Sequence, residues 1–476
     1  MFSAILFAVI LTACTQSDNR ADIRFAVAQA PITLDPRYAT DAASARVNRV
    51  IYRSLVDFDA QFRAAPALAT WVCADDAHCR FTLGEDGRKF HDGTRLTAED
   101  VAATYNSLRA LKDTPLAAEF ANIAEVKAVD ENTVDFTLKS ADSQFPARLI
   151  IGILPAGLIA RNHDFARHPV GSGALKFVAW KRALTLERVA DGQRITLEEV
   201  RDPTVRVLKL LRGEADLLQG DLPPELVADL KTRPETRVLE SPGTNYSYLG
   251  FNMQDPVLRD VNVRRAVTLA IDREAIARQV LVGGSRSATA ILPPEHWAGN
   301  AALKPAPYEP EIARALLTQA GVKLPLRLVY KTSTDAQRVR LATIMQAQMR
   351  PAGIELEIRS LDWGTFYDDV KHGKFQLYGL TWVGIKTPEI YRFAFRGDHA
   401  PPVGANRGHL QDAELDALID RQDWQAVTAR VDALLPYVSL WYEGQFAAMR
   451  RDVTDYAPAP DGNWDALATI KKRSEQ

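Results

Sequence analysis

Residues 244–284 read "TNYSYLGFNMQDPVLRDVNVRRAVTLAIDREAIARQVLVGG". The opening nine residues carry aromatic side chains at alternate positions, Tyr246 and Tyr248, the period of a strand. From Asn262 the spacing becomes helical, and two short helices are expected before the Gly283-Gly284 stop. A strand running into helices is the unit of an α/β protein.

The same interleaving extends outward in both directions. "LRLVYKT", a helix from Asp335 to Met349, "IELEIRSLD" and "FQLYGLTWVG" form a βαβ-like run. Upstream, Ile23 to Ala28 reads as a strand, and Val47, Val50, Ile51 and Leu55 are spaced as one helix face. "RFTLG" and "KFHDG" read as two short strands. Thr97 and Asp100 form a capping box before a helix carrying Val101, Tyr105 and Leu108. "EVKAVDENTVDFTLK" alternates around a polar turn as a hairpin does. "RDPTVRVLKLLRGEADLLQG" reads as a helix, a stop at Gly213 and a short strand.

The 476 residues are 47% hydrophobic and 25% charged, which is globular composition and long enough for two or three lobes. Lys and Arg total 58 against 60 for Asp and Glu, without the basic excess of a nucleic-acid binder. No HExxH, GxxxxGK[ST], GxSxG or CxxC pair is present, and none of the eight histidines stands four residues from another. "PVGSG" is Gly-rich but lacks the following Lys and leads into a strand, so it reads as a turn. No enzyme signature and no cofactor motif emerge.

"FHDGTRLTAEDVAATYNSLR", "LPAGLIARN", "HPVGSGALKFVAW", "YLGFNMQDPVLRDVNVRRAVTLAIDREAI" and "LPPEHW" together resemble the family 5 extracellular solute-binding proteins of ABC importers. "PYEPEIARALLTQAG", "DWGTFYDDVKHGKFQLYGLTW" and "LPYVSLWYEGQFAAMR" continue the match in family order, from about Ile23 to the C-terminus. The resemblance implies the class II periplasmic-binding-protein fold, with two α/β lobes closing over a ligand. Lobe I would comprise 23–45, 169–242 and 441–476, with an inserted subdomain at 46–168. Lobe II would be 243–440, and "TNYSYLGFN" and "VSLWYEGQF" would be hinge strands. It further implies a monomer without cofactor or enzymatic activity, binding a peptide or peptide-like solute for a permease and its ATPases. Nickel chelates, haem and sugars are the alternative ligands, and a binding module repurposed for envelope sensing or chaperoning is the alternative role, since fold does not fix function.

By the same resemblance, three stretches line the cleft. "PITLDP" offers the backbone from Ile32 through Thr33 to Leu34. "TNYSYLGFN" offers Asn245 and Tyr246. "GLTWVGIKTP" offers Trp382 and the backbone of Val383 and Gly384, and Trp363 corresponds to a pocket tryptophan. For each aromatic, core packing is the competing reading. The chain departs from its peptide-binding relatives three residues after Trp382. They carry an Asp that pairs with the peptide ammonium; Ile385 stands here, followed by Lys386. An ammonium buried against isoleucine is an unpaired charge. The ligand is therefore expected to be blocked at that end, acidic, bound elsewhere or not a peptide. Lys386 is either an anion contact or a solvent-facing lysine. Arg392, Arg396, Asn406 and Arg407 cluster in sequence and would suit a carboxylate or phosphate if cleft-facing. His399 and His409 could add a metal site, though nothing in the sequence fixes their geometry.

The chain opens "MFSAILFAVILTACTQSDNR". The apolar run is too short to span a bilayer. It reads as the h-region of an export signal, residues 1–13. Leu11 to Cys14 resembles a lipobox, implying lipidation of Cys14, a tether over 14–22 and residence on the periplasmic side of the cell envelope. A cleaved soluble signal is the alternative. "WVCADDAHCRF" sets Cys73 and Cys79 either side of a turn. A disulfide there would suit an oxidising compartment; two free cysteines, or a metal site with His78, are the other readings.

Overall fold

The computed structural model describes residues 22–473, except 40, 112, 118, 119 and 282. The signal segment and Cys14 lie outside the described residues. An eleven-stranded sheet runs through the whole molecule. Across it the strands are Ile354–Leu361, Leu326–Ser333, Leu377–Trp382, Thr236–Phe251, Tyr437–Arg450, Leu217–Gln219, Ile23–Val27, Arg194–Glu199, Leu184–Arg188 and Leu175–Trp180, with Arg286–Ser287 pairing Tyr437–Arg450 off this path. Leu326–Ser333 lies parallel to Ile354–Leu361, joined by the expected helix Ala336–Met349 capped by Asp335. Ile23–Val27 lies parallel to Arg194–Glu199. Each half of the sheet thus has its own α/β centre.

Thr236–Phe251 and Tyr437–Arg450 are the two long strands shared by both halves. They pair antiparallel along their length, with register shifts between Ser241 and Asn245 and between Ser247 and Tyr248. Gly243 sits in the first shift, and a Cβ there would collide with the Glu443 carbonyl oxygen. A chain that must cross this closely can carry only hydrogen at that Cα. Each half has its own apolar core. Leu249, Val267, Leu328 and Met345 belong to one half, and Phe25, Val47, Leu186 and Trp464 to the other.

A four-stranded antiparallel sheet, Ala69–Asp75, His78–Leu83, Thr133–Leu138 and Ile123–Ala128, packs under the helix Ala98–Ala110. Its core includes Phe81, Tyr105 and Phe136. The Thr97–Asp100 capping box is formed. Cys73 and Cys79 face each other across the first hairpin and are disulfide-bonded. "KFHDG" is not a strand. Only Lys89 and Arg95 bridge there, around the Asp92 turn, because Asp92 accepts from the Thr94 N–H and hydroxyl and bends the chain at once. The helix Ala42–Ile51 runs through residues 45 and 46 and packs on the Phe25 cluster, so the separate core of this subdomain begins beyond it, at Leu55. Among the described residues no helix is long and apolar enough to cross a membrane.

Candidate functional site

A cavity of about 660 Å³ lies between the two halves of the molecule. The helix Ala42–Ile51 forms one wall through Asn48 and Arg49, and Gly173 another. Gly384 and Lys386 close it from the opposite half, and Asp461 comes from the C-terminal segment. That segment is anchored beneath by Trp464, whose ring meets Phe25 edge-on at 5.0 Å.

The chain enters the cavity at the end of the strand Leu377–Trp382. Gly384 turns it with φ of 69°, and its N–H reaches Asn245 Oδ1 at 3.4 Å. Ile385 packs against the apolar cluster behind it. Lys386 Nζ crosses to Asp461 at 2.8 Å, with only 16% and 15% of the two side chains exposed. The same ammonium lies 5.2 Å from the centre of the Phe58 ring. The lysine is thus neither solvent-facing nor free for an anion: its charge is spent on an internal carboxylate. Burial works to raise the Asp461 carboxyl, but Lys386 and the Asn463 N–H hold it below the usual carboxylate range. Beside it, Arg49 bridges Asp57 at 2.7 Å and Asp465 at 2.8 Å. His296 Nε2 contacts the Lys386 carbonyl at 2.9 Å and its ring stacks on Phe62, so this loop is tied to the inserted subdomain too. Burial holds the His296 imidazole below its ordinary range.

The other sequence candidates divide into three groups. Trp363 and Val383 are more than half exposed. Trp363 stacks on Tyr367 at 5.5 Å, and Trp382 stacks near Tyr248 at 6.2 Å. The Arg407 guanidinium lies between these rings, 4.8 Å from Trp382 and 5.8 Å from Tyr367, and donates to the Tyr248 hydroxyl at 2.8 Å. It is 7% exposed, and no carboxylate pairs with it among the described residues. Trp363, Tyr367, Trp382, Tyr248 and Arg407 make an aromatic, cationic group on one half of the molecule.

The second group is committed to the fold. The Ile32 and Thr33 N–H groups donate to Ser44 Oγ, the Leu34 N–H to the Ala166 carbonyl, and the Leu34 carbonyl accepts from Tyr52. The backbone donors expected to meet a ligand are therefore already engaged. Tyr246 is buried with its hydroxyl on Ser439, 2.7 Å away. The Asn406 amide donates to the Arg396 and Leu410 carbonyls and accepts from the Leu410 N–H. The third group lies outside the cleft: Arg392 and Arg396 both pair with Asp420, and His399 with Asp398. The arginines near in sequence thus separate in space, and of the three Arg407 is the one that lies against Trp382.

Sequence reasoning missed Asn48, Arg49, Asp57 and Asp461. One signal was present. Asn48 lies on the apolar face marked by Val47 and Ile51, where a polar residue is out of pattern. The acidic partners come from distant segments and carry no local signal.

A family model described as "Bacterial extracellular solute-binding proteins, family 5 Middle" matches residues 61–398. Among curated proteins, heme-binding protein A of Haemophilus influenzae is 26% identical, with 96% of this chain and 93% of that protein covered. The dipeptide-binding protein of Escherichia coli K12 is 26% identical over 74% of each chain. The solved structure of the oligopeptide-binding protein AppA of Bacillus subtilis, in complex with a nonapeptide, superposes with a TM-score of 0.75 at 22% identity. That superposition covers 95% of this chain and 99% of the other.

Proposed function

This chain belongs to the bacterial extracellular solute-binding proteins of family 5, and we propose that it captures a peptide or peptide-like solute in the cavity between its two lobes and delivers it to an ABC permease. The reading rests on one observation above the rest. The cavity, about 660 Å³, has the size of a small-molecule site and is walled by both halves of the molecule. Opening the halves admits a solute, and closing them surrounds it, as in hinge closure generally. The dipeptide-binding and oligopeptide-binding relatives favour peptides as the class.

In this reading lobe I comprises the early strand, residues 169–242 and the C-terminal segment. Lobe II comprises 243–440, and the inserted subdomain starts where the helix Ala42–Ile51 ends. Gly384 meets the solute inside the cavity from lobe II, and Trp363, Trp382 and Val383 extend the site beyond the cavity wall, with Arg407 against Trp382. Binding and release suffice, with no bond made or broken and no cofactor. Cys14 carries the lipid that keeps the protein on the periplasmic side of the envelope, beside its permease and ATPases.

The test is mass spectrometry of what natively purified protein releases on denaturation. A ligand that stabilises the closed form survives purification when its affinity is high. A set of short peptides is the expected result. A single non-peptide compound would retain solute capture and overturn the peptide class.

A further inference from the structure

Each carboxylate that lines the cavity already meets a cation of the chain. Lys386 is held by Asp461, and Arg49 by Asp57 and Asp465. Arg53, at the rim, is exposed to solvent. What remains unmatched inside is neutral. Asn48 forms part of the wall and is only 5% exposed, yet neither its Oδ1 nor its Nδ2 has a hydrogen-bond partner among the described residues. Its position on the helix is not a packing accident of an exposed turn: Ser44 one turn before is fully buried, and so is Ile51. A buried amide with both edges unpaired costs free energy that an apolar residue of the same size would avoid. Helix Ala42–Ile51 gains nothing from it, since asparagine is also a poor helix former.

We infer that Asn48 is the group that reads the solute, and that it reads a neutral amide. One carboxamide offers a donor and an acceptor side by side. The terminal amide of an N-acylated peptide offers the complementary acceptor and donor at the end where a free peptide carries its ammonium. Asn48 lines the cavity, and χ2 of asparagine is a broad two-fold torsion, so its amide is free to turn toward a solute. A free ammonium finds no unpaired carboxylate here, because Asp461 is occupied by the chain's own lysine. The cavity therefore selects a blocked, uncharged amide end over a free amine. This inference rests on the proposal that the cavity takes peptide-like solutes.

The experiment uses the full chain, calorimetry and two probes, trialanine with a free amine and N-acetyl-trialanine. Wild type is expected to bind the acetylated probe more tightly by about tenfold or more. Asn48→Leu keeps the side-chain size and removes both polar edges. It is expected to weaken the acetylated probe by about tenfold or more and to leave the free-amine probe unchanged. Without probe, Asn48→Leu should melt at the same temperature as wild type or higher. A lower melting temperature would mean that the amide has a structural partner, and would overturn the assignment. So would equal binding of the acetylated probe by wild type and Asn48→Leu, which would leave the peptide reading intact. If wild type binds neither probe, the peptide reading fails and the amide assignment falls with it.

Discussion

Replacing Asp461 with Asn would test whether the two halves are held together by the Lys386–Asp461 pair. At 2.8 Å and an effective dielectric constant near 20, the attraction is roughly 332/(20 × 2.8), or about 6 kcal/mol. Most of it is offset by desolvation, since only 16% and 15% of the side chains are exposed. Exposed pairs contribute about 0–1 kcal/mol, and breaking a fully buried pair costs about 3–5 kcal/mol. This pair lies between those limits, so Asp461→Asn should cost about 2 kcal/mol, a factor of roughly 30 in the closed-to-open ratio. Lys386→Met should cost less, because the Asn463 N–H still serves the carboxylate. The double variant Lys386→Met/Asp461→Asn should recover part of the loss. Urea denaturation of the four proteins yields the coupling energy, and small-angle X-ray scattering reads the opening as a larger radius of gyration. A coupling below about 0.5 kcal/mol with an unchanged radius would refute the reasoning.

Acidification should destabilise the folded chain through His296. Its folded pKa lies below that of a free imidazole, so between the two values the unfolded chain binds a proton that the folded chain does not. Stability is therefore lost as pH falls through about 6.5; His91, also held low by burial, adds to the slope. His296→Gln should flatten the urea midpoint between about pH 7 and 5.5, and an unchanged slope would remove His296 from the account. Gly243→Ala, which drives a methyl onto the Glu443 carbonyl, should lower stability by about 2 kcal/mol or more or prevent folding; a melting temperature equal to wild type would contradict the close crossing. Cys73 and Cys79 should resist alkylation until reductant is added, as mass spectrometry with and without reduction would report. Cys14→Ala should release the protein from membranes, and retention in the membrane fraction would count against lipidation.

Local patterning reached far along this chain because each element carries its own code. The aromatic alternation of Tyr246 and Tyr248, the Thr97–Asp100 box and the helix ending at Met349 depend on residues a few positions apart, and each appears where it was read. The hairpin that joins Cys73 to Cys79 is equally local. "KFHDG" failed as a strand because the turn hydrogen bond that Thr94 N–H donates to Asp92 outweighed its composition.

The site was legible only in part. Trp363 and Trp382 carry enough exposed or half-buried ring to mark a surface, but the fate of Lys386 could not be read from its neighbours. Its partner, Asp461, is 75 positions away and is brought near by the strand Tyr437–Arg450 returning to the other half of the sheet. The same folding separates Arg396 from Arg407 and turns the Ile32–Leu34 backbone inward. By itself, then, the sequence determined the α/β elements, their order and the family, because these follow from spacing along the chain. Which charges are spent, which amide is left unpaired and where a cavity remains were decided by tertiary structure alone, because pairing across a cleft depends on distance in space.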